Sequence, residues 1–233
     1  EGFVNDLKDG PGIIAIGTSN VLPPNTGSHN SQWTKLGEPV DESRSLSSFV
    51  VDASFIDTYQ MSLIAGRNFS QNRPEDLVPA TGPASGSTYG VILSETGVER
   101  LGLGHVEQAL GEILVYQDTR YRIIGVVRDF RFAGGAEDSL MSTAILIGVQ
   151  RPLQYVSIRI NPSYLSEATE HIDEVWTLHK NDIPIERTFY EQTYRAIIEN
   201  ETQSLSSSAY FAGVISSLIG LFGLIALTLS SVQ

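Results

Sequence analysis

The sequence predicts an α+β domain that leads into a membrane-spanning helix, on three observations. Between residues 90 and 149, apolar runs of four to seven residues alternate with turn signals, the mark of buried or half-buried strands. After Pro162 the period changes, and Leu165, Ala168, Ile172, Val175 and Trp176 recur at helical spacing. From Phe211 to Leu229, nineteen consecutive residues carry no charge, about the length of helix that crosses a hydrocarbon core of roughly 30 Å.

In chain order, Phe3, Val4 and Leu7 have helical spacing and "DGPG" ends that helix. Ile13 to Ile16 reads as a short strand. "NVLPPNTGSHNSQW" reads as a polar loop, and Ser45–Asp52 as a second strand followed by a short helix, "ASFIDTYQ". The stretch from Gly66 to Gly90, rich in Gly, Ser and Pro, is expected to be an exposed, mobile loop. Then come "VILS" as a strand, "ETGVERLG" as a helix stopped by Gly102, and the strands "EILVY", "YRIIGVVRDF" and "TAILIGV". "YVSIRI" alternates as a strand, the helix after Pro162 runs to about Lys180, and "IPIERTF" is expected to be a final strand. A second helix begins near Glu191. No Pro or Gly interrupts it before Gly213, so it is expected to run straight into the span as one rigid rod. Gly213, Ser217, Gly220 and Gly223 are small residues at spacings that admit a neighbouring helix.

Composition excludes several functions. The 27 acidic and 15 basic residues give a net charge of −12, with lysines only at 8, 35 and 180; nucleic acid is therefore excluded as a partner, because binding it needs clustered cations. No cysteine is present, so disulfides, thiolate metal sites and a cysteine nucleophile are excluded. The chain begins at Glu1 with no Met, basic n-region or apolar h-region, and is expected to be a piece of a longer protein. The flank before the span carries Arg195 against Glu191, Glu199 and Glu201, which places that flank outside the cytoplasm under the positive-inside tendency.

No residue set signals catalysis, a metal or a cofactor. His171 and His179 are eight apart, too far for a helical zinc pair, while His29 and His105 lie in loop-like segments without ligating neighbours. Glu167, Glu170, Asp173 and Glu174 read as the wet face of an amphipathic helix. "GPASGSTYG" lacks the Lys-Ser/Thr of a phosphate loop, and no G-x-S-x-G is present. Asn68 and Asn200 fit the glycosylation pattern. In "IIGVVRDFRF" a buried strand ends in Arg128-Asp129, expected to join a surface ion network, with Phe130 and Phe132 on one face. The chain is accordingly expected not to be an enzyme.

Four segments carry a resemblance: "VDASFIDTYQMSLIAGRNFS" (51–70), "GVILSETGVERLG" (90–102), "YRIIGVVRDFRF" (121–132) and "FYEQTYRAIIENETQS" leading into "GLFGLIAL". Together the sequence resembles the extracytoplasmic core domain of MacB/FtsX-type ABC transporter permeases. It departs from the family pattern in having Ser94-Glu95 for the usual Asn-Glu, and in reaching Ser139-Leu140 only after "AGGAED". The resemblance implies a two-lobed core domain over residues 1–208. A β-α-β lobe would come from both chain ends (1–65 and 151–208), a mostly-β lobe would be inserted at 66–150, and the transmembrane helix would follow at 209–233. It also implies a bacterial inner-membrane permease with its main domain periplasmic, and an ATP-binding subunit as partner. A second permease protomer, and a periplasmic adaptor or outer-membrane protein, would complete the assembly. The implied work is coupling ATP hydrolysis to motion outside the membrane, for efflux, export, lipoprotein release or activation of cell-wall hydrolases. The competing reading is a single-span ligand-binding or adhesion ectodomain; a membrane-anchored hydrolase would need the nucleophile signal that is missing.

Overall fold

A computed structural model of the chain describes residues 2–21, 30–130, 144–149, 153–180 and 183–190. The fold is mixed α+β. Among the described residues, nine strands form one sheet: β1 (Ile13–Ser19), β2 (Asn30–Lys35), β3 (Arg44–Val51), β4 (Leu63–Gly66), β5 (Thr88–Ser94), β6 (Ile113–Tyr116), β7 (Thr119–Val127), β8 (Ala144–Gly148) and β9 (Tyr155–Ile160). Five helices accompany them there: α1 (Gly2–Lys8), α2 (Phe55–Thr58), α3 (Glu95–Arg100), α4 (Val106–Ala109) and α5 (Leu165–His179).

Pairing runs β2-β6-β7-β5-β8-β3-β1-β9, and β2 also pairs with β3. The strands from β2 round to β3 therefore close into a ring. Two ladders in it are parallel, β3 with β8 and β5 with β7, and the others are antiparallel. β4 pairs with β7 beyond the stretch of β7 that β6 occupies. Pairing crosses the lobe boundary expected after residue 65: β2 joins β6, β3 joins β8 and β4 joins β7.

Alternation along the strands divides the apolar residues between two cores. One holds Trp33, Leu46, Val91, Leu93, Leu114 and Ile123 among others, with Val98 of α3, Leu101 just after it and Ala109 of α4 packed in. The second lies on the opposite face of the same strands, where Phe49, Val51, Ile92 and Leu146 meet Phe55 and Ile56 of α2. A third core is built from the two chain ends: Leu7 of α1, Ile16 of β1, and Ile172 and Val175 of α5, with Val156, Ile158 and Ile160 of β9 and Ile185 against them.

Several expectations need correction. "NSQWTK" is a strand and not part of a loop; its buried positions are Ser31 and Trp33, so the alternation is invisible to a hydrophobicity pattern. Ser31 and Ser48 hydrogen-bond each other, and Trp33 Nε1 donates to Ser31 Oγ at 2.6 Å, which satisfies polar groups the ring buries. The stretch from Gly66 to Gly90 is exposed over residues 71–75 and 83–86 but anchored at two places before the second of these. Phe69, Asp76, Leu77 and Val78 are buried, and the Arg67 guanidinium makes a bidentate pair with the Asp76 carboxylate. "IPIERTF" forms no strand among the described residues; Ile185 still packs into the third core. β4 and α4 leave no clear signal in the sequence, being only four residues each.

The helix after Pro162 begins as a tight 3-10 turn, Pro162–Tyr164, before α5, with the Asn161 side chain accepting from the Ser163 N–H at 3.1 Å. No helix among the described residues is long and apolar enough to cross a membrane. The span expected at 209–233, and the helix from Glu191 into it, lie outside the described residues.

Candidate functional site

Three of the motif segments converge where β7 ends, α3 begins and α2 turns into β4. The glycine in "IIGVV" is set by proximity: a Cβ on Gly125 would lie 2.5 Å from the Arg67 carbonyl oxygen, so β4 and Arg67 beyond it could not lie so close to β7 with a larger residue there. Past the strand end, the Arg128 N–H donates to the Ser62 carbonyl at 2.8 Å and continues that attachment.

Asp129 caps a helix instead of joining an ion network. Its carboxylate accepts from the Thr96 N–H at 3.0 Å and from the Thr96 hydroxyl, at the first turn of α3. Glu95 returns the contact, its Oε2 accepting from the Asp129 N–H at 3.1 Å. Ser94 caps the same helix, accepting from the Gly97 N–H at 3.1 Å. The "SET" and "RDF" motifs are thus two halves of one reciprocal cap, worth about 1 kcal/mol for each capping side chain. Acidic groups are favoured there because the free N–H groups of the first turn carry partial positive charge. Ser94 performs the capping that the family's usual asparagine offers chemically, so that departure is conservative. Arg128 itself is exposed, and Phe132 lies outside the described residues.

A cleft of about 230 Å³ opens beside this cap, with Tyr59, Met61, Arg128, Phe130 and Tyr190 in its lining. Tyr59 joins three parts of the chain. Its ring packs on Phe55 at 4.6 Å, its hydroxyl hydrogen-bonds Ser157 of β9 at 2.7 Å, and Tyr190 meets it edge-on at 6.3 Å. Burial pushes the Tyr59 hydroxyl above its ordinary pKa, partly offset by the Ser157 contact, so it stays neutral. One aromatic side chain thus touches α2, β9 and Tyr190.

The other candidates are not brought to this place. On α5, Glu167, Glu170 and Glu174 are not buried, and Asp173 pairs with Arg187 at 2.7 Å. His171 and His179 both face α1: His171 Nε2 lies 3.1 Å from the Asp6 carbonyl and His179 Nε2 lies 2.6 Å from Asp6 Oδ2. His105 opens α4, its N–H donating to Gln108 Oε1 at 3.3 Å. His29 lies outside the described residues, as does Asn200. Among the described residues no three His, Asp or Glu side chains are grouped as metal ligands would be. Sequence reasoning names Ser94-Glu95 as a motif and Tyr59 as a helix-face residue but does not assign their contacts, and it does not single out Thr96; the pairing of a helix start with an aspartate 33 residues later has no local signature.

A family model described as the MacB-like periplasmic core domain matches residues 15–175. The chain belongs to that family. The fold of this MacB-like domain is similar to the periplasmic region of MacB from Actinobacillus actinomycetemcomitans, with a TM-score of 0.51 and 14% identity over 77% of this chain and 72% of that one. It is also similar to the extracellular domain of the noncanonic ABC-type transporter YknZ from Gram-positive bacteria, with a TM-score of 0.50 and 13% identity over 78% of this chain and 83% of that one. No curated protein matches it by sequence. In the MacB-like domain, the cap formed by Ser94, Glu95, Thr96 and Asp129 gives two of the resembling segments a structural reason to occur together.

Proposed function

We propose that this chain is the extracytoplasmic domain of an ABC transporter permease of the MacB/FtsX type. It couples ATP hydrolysis by a cytoplasmic ATP-binding subunit to conformational change outside the bacterial inner membrane, in the service of export, efflux or lipoprotein release. Membership of the MacB-like periplasmic core domain family is the observation that carries this reading. The domain does no chemistry of its own in this reading. Its partners are the ATP-binding subunit, reached through the rest of the permease, a second permease protomer, and a periplasmic adaptor or outer-membrane protein. The residues at 209–233 serve as the membrane helix.

Two features of the chain suit such work. Its third core joins the N-terminal segment to residues 156–185, so a pull on either segment acts on one packed unit. Tyr190, the last described residue, touches Tyr59 at the place where the motifs meet. The test places a spin label at Ser163, an exposed residue on the turn before α5, in each protomer of the full permease with its ATPase in nanodiscs. The label-to-label distance is expected to shift when nucleotide is trapped. A distance that stays put while ATP is still hydrolysed overturns the coupling.

A further inference from the structure

The sheet is not equally continuous throughout. β5 and β7 share seven register pairs, β1 and β9 six, and β3 and β8 five, whereas among the described residues β1 and β3 meet at one, Ser19 opposite Val51. This is the seam between the strands of the ring and the layer made by α1, β1, β9 and α5. A ladder one pair long supplies few backbone bonds, so other groups must hold the two parts together.

Two of the bonds across the seam converge on one carboxylate, which also sets the start of α2. Asp52 Oδ2 accepts from the Thr18 N–H at 2.9 Å and from the Thr18 hydroxyl at 3.0 Å, while Asp52 Oδ1 accepts from the Ser54 N–H at 3.0 Å, at the turn into α2. The Asp52 N–H donates to the Thr18 carbonyl at 3.0 Å. Asn20 adds a reciprocal pair with Val50, donating its N–H at 2.9 Å and accepting at Oδ1 at 2.8 Å. α2 then lies flat on β1, where a Cβ on Gly17 would come within 3.0 Å of Phe55 Cα. From α2, Tyr59 reaches Ser157, and the Asp57 carbonyl accepts from Arg159 of β9 at 2.9 Å.

We propose that Asp52 is a latch between two mechanically separable units, the layer formed by both chain ends and the closed ring of strands. One oxygen holds β1 and the other sets the start of α2, so loss of this carboxylate loosens the layer at the seam without breaking any ladder within either unit. The six-pair β1–β9 ladder and the third core keep the layer whole when it moves. The burial that raises the Asp52 pKa above its usual value is what a carboxylate enclosed between two units experiences. The latch is a property of this chain whether or not a nucleotide-hydrolysing subunit drives it.

Amide hydrogen exchange followed by mass spectrometry, on the full 233-residue chain in detergent micelles, tests the latch. In Asp52→Ala, exchange in 13–19 and 155–160 is expected to rise about tenfold, while 88–94 and 119–127 change by less than about twofold. Thr18→Val keeps the N–H bond and the α2 start but loses the hydroxyl; it is expected to give about a threefold rise confined to the same two strands. It decides the matter if Asp52→Ala does not fold. A rise shared equally by all four strands, or none in 13–19 and 155–160, overturns the latch.

Discussion

The ring and the layer of chain ends bury their apolar groups to different degrees. In the ring, Trp33, Leu46, Val91, Leu93 and Leu114 have no exposed surface at all. In the layer, Leu7 and Ala168 are fully buried, but every residue of β9 is only half-buried. The same residue types, in strands of similar length, therefore contribute unequally. Because local stability follows the density of buried apolar contact, the ring is expected to act as the scaffold and the layer to open first. The difference traces to closure: a strand inside a ring has a partner on each side and a core on each face, whereas β9 ends the order of the sheet.

The strongest way to break the comparison is to damage the ring. Trp33→Ala should cost about 3–5 kcal/mol, from lost burial and the cavity left behind, and should also strip the Ser31–Ser48 pair of its indole donor. Chemical denaturation should show the loss as global, with exchange accelerated in every strand. If the damage stays local to β2, the ring is not a cooperative unit.

An equivalent truncation in the layer should be smaller and confined. Ile172→Ala is expected to cost about 2 kcal/mol, the low end for such a change because the site is near the surface. Exchange should rise in 13–19 and 155–160 and stay unchanged in 88–94. Equal acceleration in the ring would mean the two regions open as one.

Asp129→Ala sharpens the comparison inside the ring, by removing one half of the cap on α3. A loss of about 1 kcal/mol is expected, read as a lower midpoint of denaturation. Asp129→Asn, which keeps an acceptor oxygen for the Thr96 N–H, should recover most of it. Failure of the asparagine to recover anything would assign the effect to charge at the helix start and not to the hydrogen bond.

The smallest effect is a pH dependence at the seam. Burial raises the Asp52 pKa above the ordinary 3.8, against the opposing hydrogen bonds from Thr18 and Ser54. The native state then takes up a proton there before the unfolded chain does, so this group lowers stability as pH rises from about 3.8 through its folded pKa. Compared with Asp52→Asn, the wild type should gain relative stability on acidification from pH 7 toward pH 4, by about 1 kcal/mol or less. Taking the difference between the two proteins cancels the titration of the other carboxylates. A relative gain with rising pH would mean that the hydrogen bonds outweigh burial.

Strands with an apolar rhythm were legible without coordinates. β3, β5, β6, β7, β8 and β9 lie within two or three residues of where alternation or apolar runs placed them, since one buried face leaves a period-two record. β2 escaped because its inward residues are Ser31 and Trp33, and a serine facing a core reads as loop until its hydrogen bond to Ser48 is seen. Asp129 was legible as a charged turn but not as a cap, because its partner Thr96 is 33 residues away. Asp76 was hidden in a loop-like composition, although it is almost wholly buried against Arg67.

By itself the sequence determined the α+β class, the helix after Pro162, the uncharged run at the C-terminal end and the motifs that mark a MacB-like domain, since each is written in local periodicity, composition or short spacing. The tertiary structure decided that the strands close into a ring, that β1 joins it through a single register pair, and that Asp52 and Asp129 direct their carboxylates to backbone N–H groups far along the chain. The reason is physical. Local rules record which face of a segment is apolar, but which segment satisfies a buried polar group depends on what folding brings within about 3 Å of it.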